Sequence, residues 1–94
     1  MNKKEALVIG AGGHSRVVLS ILDELQVFKI LGVIDIDYKD RKDENILNIP
    51  VLGSIEKLDA YKHNINLFLA IGENSLRETW YKELKKTDFV LPNL

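Results

Sequence analysis

Leu7-Val8-Ile9-Gly10-Ala11-Gly12-Gly13-His14-Ser15 is the stretch that decides the fold. Upstream, Glu5-Ala6-Leu7-Val8-Ile9 forms a short apolar run that ends at Gly10. A continuous apolar run before a glycine turn suits a strand buried on both faces. Gly10-Ala11-Gly12-Gly13 breaks that run. Beyond it Val17, Val18, Ile21, Leu22 and Leu25 recur at helical spacing. The spacing predicts a helix from His14 to Leu25 with that stripe turned to the core.

Working outward, Ile30-Leu31-Gly32-Val33-Ile34 reads as a second buried strand, closed by Asp35. Residues 36–48 are crowded with charge and read as a solvated loop. Pro50-Val51-Leu52-Gly53 is a short strand. Ser54 caps a second helix carrying Ile55, Leu58 and Tyr61 on one face. Leu67-Phe68-Leu69-Ala70-Ile71 is a third strong strand, ending at Gly72. The last helix opens at Asn74, where Ser75 and Glu78 have the spacing of a capping box. Leu76, Trp80 and Leu84, with Tyr81, form its expected buried stripe. Phe89-Val90-Leu91 before Pro92 reads as a terminal strand. Strands alternating with helices call for an α/β fold. The expectation is one small Rossmann-like domain over residues 1–94, with a mostly parallel sheet of 4–5 strands and helices on both faces.

Composition narrows the function classes. The chain has 94 residues, 46% apolar and 29% charged, as in an ordinary globular protein. Thirteen basic residues face fourteen acidic ones, for a net charge of −1, which argues against binding by neutralising nucleic-acid phosphates. No cysteine is present, which removes disulfides, thiolate catalysis and Cys-based zinc sites. Two histidines, His14 and His63, make a His-rich metal site unexpected. Apolar runs fall well short of the ~20 residues of a membrane span, and no signal-peptide pattern opens the chain. The expected setting is cytoplasmic, with no nucleic-acid or membrane partner.

Three turns are candidates for chemistry. Gly10 through Ser15 follows a strand and opens a helix, so its glycines let a ligand approach the backbone. The N–H groups and dipole of that helix start suit a phosphate. Ser15 stands where a third glycine completes the dinucleotide fingerprint. The alternative is a tight turn without a ligand. Asp35, roughly 25 residues after Gly10, matches the position of an acid that holds ribose hydroxyls in Rossmann domains, or it is a turn aspartate; Asp37 is a weaker version of the same case. Gly72-Glu73-Asn74 lies at the carboxyl end of another strand, where ligands bind open parallel sheets, unless Asn74 or Ser75 merely caps the helix. His14 is placed to hydrogen-bond a phosphate or sugar, or else to pack the turn. Arg77 can reach a phosphate, or pair on an exposed helix face. His63 reads as surface and Trp80 as core. No nucleophile–base or carboxylate pair emerges. The pattern is one of nucleotide binding without visible machinery for transformation.

These residues also carry a family resemblance. Leu7 through Ser15 with Val17-Val18, then Gly32-Val33-Ile34-Asp35, Ile49-Pro50-Val51-Leu52-Gly53-Ser54 and Leu69-Ala70-Ile71-Gly72-Glu73-Asn74 with Arg77, resemble the N-terminal segment of sugar O- and N-acyltransferases of the sialic-acid and bacillosamine type. The resemblance runs from Ala6 to Leu94. It implies a Rossmann-like domain that binds a UDP-linked amino sugar, through Gly12, Gly13 and His14, Asp35 and Gly72, with Gly10, Ser15, Asp37, Asn74 and Arg77 as secondary candidates. Where the family often has a second acid after Asp35, this chain has Ile36. In such enzymes a C-terminal left-handed β-helix of hexapeptide repeats binds acetyl-CoA, carries the catalytic histidine and forms a homotrimer. The sequence stops at the passage into that part. The resemblance therefore implies a substrate-binding domain of a sugar acetyltransferase, not catalytic alone and holding no cofactor itself. A minimal NAD-binding domain of an oxidoreductase, and an interaction domain without a ligand, are the other readings.

Overall fold

The computed structural model describes residues 3–36, 45–61 and 64–92. Among the described residues five strands and two α-helices follow in the order β1 Lys4–Ile9, α1 Gly13–Leu25, β2 Phe28–Ile34, β3 Asn45–Ile46, β4 Ile49–Gly53, β5 Asn66–Leu69 and α2 Asn74–Lys85. A 3-10 helix, Ile55–Ala60, joins β4 to β5. The strands form one sheet in the order β3-β4-β2-β1-β5. β1 pairs in parallel with β2 on one side and β5 on the other. β2 pairs in parallel with β4, and only the short β3 is antiparallel to its neighbour. This is the α/β, mostly parallel sheet that the alternating pattern predicts.

The apolar run of β1 is buried on both faces, as a central parallel strand requires. Ala6 and Val8 face α1, packing with Val18, Leu19, Leu22 and Phe68. Leu7 and Ile9 face the opposite layer, with Leu58 of the 3-10 helix and Leu84 of α2. Helices therefore cover both faces. Phe28 and Phe68 meet edge to face in the α1 layer, with ring centroids 4.9 Å apart.

Several local expectations need correction. In α1 the sheet takes Ser15, Val18, Leu19 and Leu22, while Val17, Ile21 and Leu25 are exposed. The apolar band of α1 is wider than the strip that the sheet covers, so periodicity alone marked a neighbouring row as core. In α2 only Leu84 is buried; Trp80 is half-buried, and Leu76 and Tyr81 are exposed. The α2 cap is Glu73, not a Ser75–Glu78 box. Its carboxylate accepts from the Ser75 N–H at 3.0 Å and the Leu76 N–H at 2.7 Å. The segment after Ser54 is a 3-10 helix, and Ser54 makes no side-chain cap bond. Within the stretch read as loop, Asn45–Ile46 forms a strand that pairs as a hairpin with Ile49–Gly53, turned by Leu47 and Asn48 at φ 49° and 68°. Two successive positive φ values belong to a two-residue turn whose twist matches the strands. The terminal strand shrinks to a single bridge, Val90 beside Asn66, because Pro92 has no N–H for the next rung. The charge run 37–44, Asp37 and His63 lie outside the described residues.

Candidate functional site at the carboxyl ends of the strands

The chain leaves β1 toward β2 on one side and later returns to β5 on the other side. That reversal places the topological switch point between β1 and β5, above their carboxyl ends. Two turns meet there. Gly10 has φ 113°, and a Cβ on it would sit 2.7 Å from the Ala70 carbonyl oxygen. Only glycine lets the end of β1 pass so close to the end of β5. The Gly10 N–H donates to the Ile34 carbonyl at 2.6 Å and the Ala70 N–H to the Ile9 carbonyl at 2.8 Å, tying the turn to both neighbours. Gly72 then lies beside His14, where an added Cβ would be 3.9 Å from the His14 Cβ.

Helix α1 begins in this notch. Its N-cap, Gly12, supplies no side chain to the first N–H groups, and no acid stands in the first turn. A Cβ at Gly12 would meet nothing within 4 Å, so the space over the helix start is open. Ser15 is buried, and its hydroxyl donates to the Gly12 carbonyl. Ser15 thus closes the turn from beneath. The open N–H groups and the positive end of the helix dipole favour an anion at this point. The start of α2 is satisfied differently. Glu73 caps it, and the Leu76 and then the Ser75 N–H groups hold that carboxyl below its usual pKa. An incoming anion therefore finds bare N–H groups on α1 and occupied ones on α2.

Asp35 sits on the far side of the Gly10 turn, at the end of β2. It is 7% exposed, and its N–H donates to the Gly53 carbonyl at 2.8 Å. The structure thus lays Asp35, Gly10, Gly12, His14 and Gly72 along one edge of the sheet. On the β5 side the notch continues into a cavity of about 660 Å3 between α1 and α2. His14, Asn74 and Arg77 are at its polar end, Leu67, Phe68 and Leu69 form its floor, and Val17, Ile21 and Tyr81 its walls. Glu78 on the rim pairs with Lys82 at 3.4 Å, whereas Arg77 has no side-chain partner among the described residues. Asp35 does not line this cavity. The walls escaped sequence reasoning because an exposed apolar row on α1 has the same period as a buried one. Among the described residues no cluster of three His, Asp or Glu could hold a metal.

Comparison with protein families matches the PglD N-terminal domain over residues 5–84. Comparison with curated proteins gives no match. Among solved structures, the acetyltransferase domain of PglB from Neisseria gonorrhoeae FA1090 is 25% identical with a TM-score of 0.77, covering 96% of this chain and 43% of that one. The same domain in complex with acetyl coenzyme A is 23% identical with a TM-score of 0.71, covering 90% and 40%. This chain therefore spans about two fifths of the length of those chains.

Proposed function

The chain belongs to the PglD N-terminal domain family, and on that premise we propose that it is the substrate-binding domain of a sugar acetyltransferase, taking a UDP-linked amino sugar. The observation that carries the reading is the uncapped start of α1, opening onto the glycine-lined notch at the switch point. A diphosphate there meets the N–H groups of Gly13 and His14 and the helix dipole. Gly12 and Gly72, lacking Cβ atoms, let it approach the backbone of both turns. Asp35 faces the ribose or base from the end of β2, since a carboxylate accepts two hydroxyl hydrogen bonds. His14, Asn74 and Arg77 lie on the other side of the phosphates, where the sugar extends. Arg77, without a carboxylate partner among the described residues, supplies a cation for the phosphates.

In this reading the chain's residues bind and orient. The acetyl group comes from acetyl coenzyme A, held by a further part of the enzyme; the gonococcal acetyltransferase domain is itself seen in complex with acetyl coenzyme A. The intact enzyme is a cytoplasmic homotrimer acting in glycan biosynthesis. No helix among the described residues is long and apolar enough to cross a membrane.

Titration with UDP and with UDP-amino sugars, followed by backbone amide shifts, tests the proposal. Shifts are expected at Gly12, Gly13, His14 and Gly72. Their absence at millimolar ligand would falsify it. NADH in the same titration, with energy transfer from Trp80, separates this reading from that of a dinucleotide-binding domain.

A further inference from the structure

The candidate site runs along the carboxyl ends of β5, β1 and β2, and the sheet continues to β4 on the far side of β2. The Asp35 N–H donates to the Gly53 carbonyl at 2.8 Å, so the end of β4 is tied directly to the end of β2. A diphosphate at the start of α1 lies over β1, and Asp35 meets the nucleoside over β2. A nucleoside extending further in that direction comes over β4, about 10 Å from β1 at two inter-strand spacings. Gly53, with Ser54 and Lys57 after it, lies there, beyond the residues that hold the diphosphate and ribose.

Two donors at that end are uncommitted. Ser54 stands at the N-cap of the 3-10 helix, where a serine oxygen ordinarily accepts from the helix start. Here it makes no cap bond, and its hydroxyl has no other partner among the described residues. The Lys57 N–H donates to the Ser54 carbonyl at 3.0 Å, which joins the two residues in one turn. The Lys57 stem folds back over Gly53. A Cβ on Gly53 would stand 2.9 Å from the Lys57 Cγ and 3.0 Å from its Cε, and φ at Gly53 is 149°. Glycine thus lets the stem lie against the end of β4. The ammonium it carries has no carboxylate partner among the described residues. Ile36, after β2, and Ile55, after Ser54, are half-buried, and both pack on the apolar cluster of Leu7, Ile9 and Ile34. Apolar side chains with a few placed polar groups are the make-up of a small-molecule subsite.

We infer that Ser54 and Lys57 are specificity-determining residues that read the base of the nucleotide, and that the base they take is a keto pyrimidine, uracil. This rests on the nucleotide-sugar reading. A lysine ammonium only donates, and a serine hydroxyl also donates. Uracil offers two carbonyl oxygens to such a pair. Cytosine replaces one of them by an amino group, so that a donor faces a donor. Ile36 and Ile55 supply the apolar surface against which the ring lies.

Backbone amide titrations with UDP, CDP and pyrophosphate, on the unaltered chain, Lys57→Met and Ser54→Ala, test the inference. Met keeps an apolar stem over Gly53 and removes the charge; Ser54→Ala removes a hydroxyl that holds no cap. The unaltered chain is expected to bind UDP more tightly than CDP. Shifts should reach Ser54, Ile55 and Lys57 with UDP, and stay at Gly12, Gly13, His14 and Gly72 with pyrophosphate. Lys57→Met is expected to weaken UDP by about tenfold and Ser54→Ala by about threefold, the worth of a charged and of a neutral hydrogen bond. Pyrophosphate binding stays unchanged in both. Equal affinity for UDP and CDP overturns the inference, as does an unaltered UDP-to-CDP ratio in both variants. An equal loss of UDP and pyrophosphate in Lys57→Met makes the lysine a general cation and overturns it too. While UDP still shifts Gly12, Gly13 and His14, these outcomes leave the nucleotide reading standing. Absence of any shift with UDP removes that reading, and the inference with it.

Discussion

Gly10 is held by two constraints at once, a positive φ of 113° and an Ala70 carbonyl oxygen 2.7 Å from where a Cβ would stand. Gly10→Ala should therefore cost about 2 kcal/mol or more, the sum of backbone strain and a clash with main chain that cannot swing away. Urea denaturation measures it; a loss below about 0.5 kcal/mol, the scale of an ordinary surface change, would refute the account. At Gly12 an added Cβ would meet nothing within 4 Å, so packing does not demand a glycine there. Glu73 makes a second prediction. Its folded pKa lies below the ordinary 4.5 because the Leu76 and Ser75 N–H groups bond the charged form. A lowered folded pKa means that the stabilisation is present above pH 4.5 and is lost as pH falls through the folded value. Amide exchange at Ser75 and Leu76 should accelerate over that acidic range, and Glu73→Gln should remove the pH dependence. The glycines were legible in the sequence because strand, turn and helix follow one another without a gap. The Glu73 cap was not, since Ser75 with Glu78 has an equally good spacing and only the position of the helix start separates them.

Two adjacent rows of α1 carry similar side chains in different surroundings. Leu22 is fully buried, whereas Ile21 is 42% exposed. Leu22→Ala is expected to cost about 2–5 kcal/mol through lost burial and a cavity, and Ile21→Ser within about 1 kcal/mol. Thermal or urea unfolding of the pair decides the register. Equal losses would show that Ile21 belongs to the core with Leu22. The same distinction explains α2, where Leu84 anchors the helix while Tyr81 and Leu76 stay exposed. A helical period of 3.6 identifies an apolar band but not which edge of a broad band meets the sheet. That choice depends on the angle at which the helix lies, which the sheet and the turns at its ends impose.

At the scale of the molecule, two turns far apart in sequence become one site because β1 lies between β2 and β5. Right-handed crossovers leave few topologies, and the structure selects the order β3-β4-β2-β1-β5 among them. The sequence by itself determined the alternation of strands and helices, the burial of β1 on both faces, and the glycine turn opening a helix. These follow from local patterns: apolar runs, periodicity and the conformational freedom of glycine. Only the tertiary structure decided that Gly72 lies against His14, that Asp35 stays outside the α1–α2 cavity, and that Val17, Ile21 and Tyr81 face one groove. Those are relations between segments distant along the chain. They are set by how the layers pack, and no local pattern carries that information.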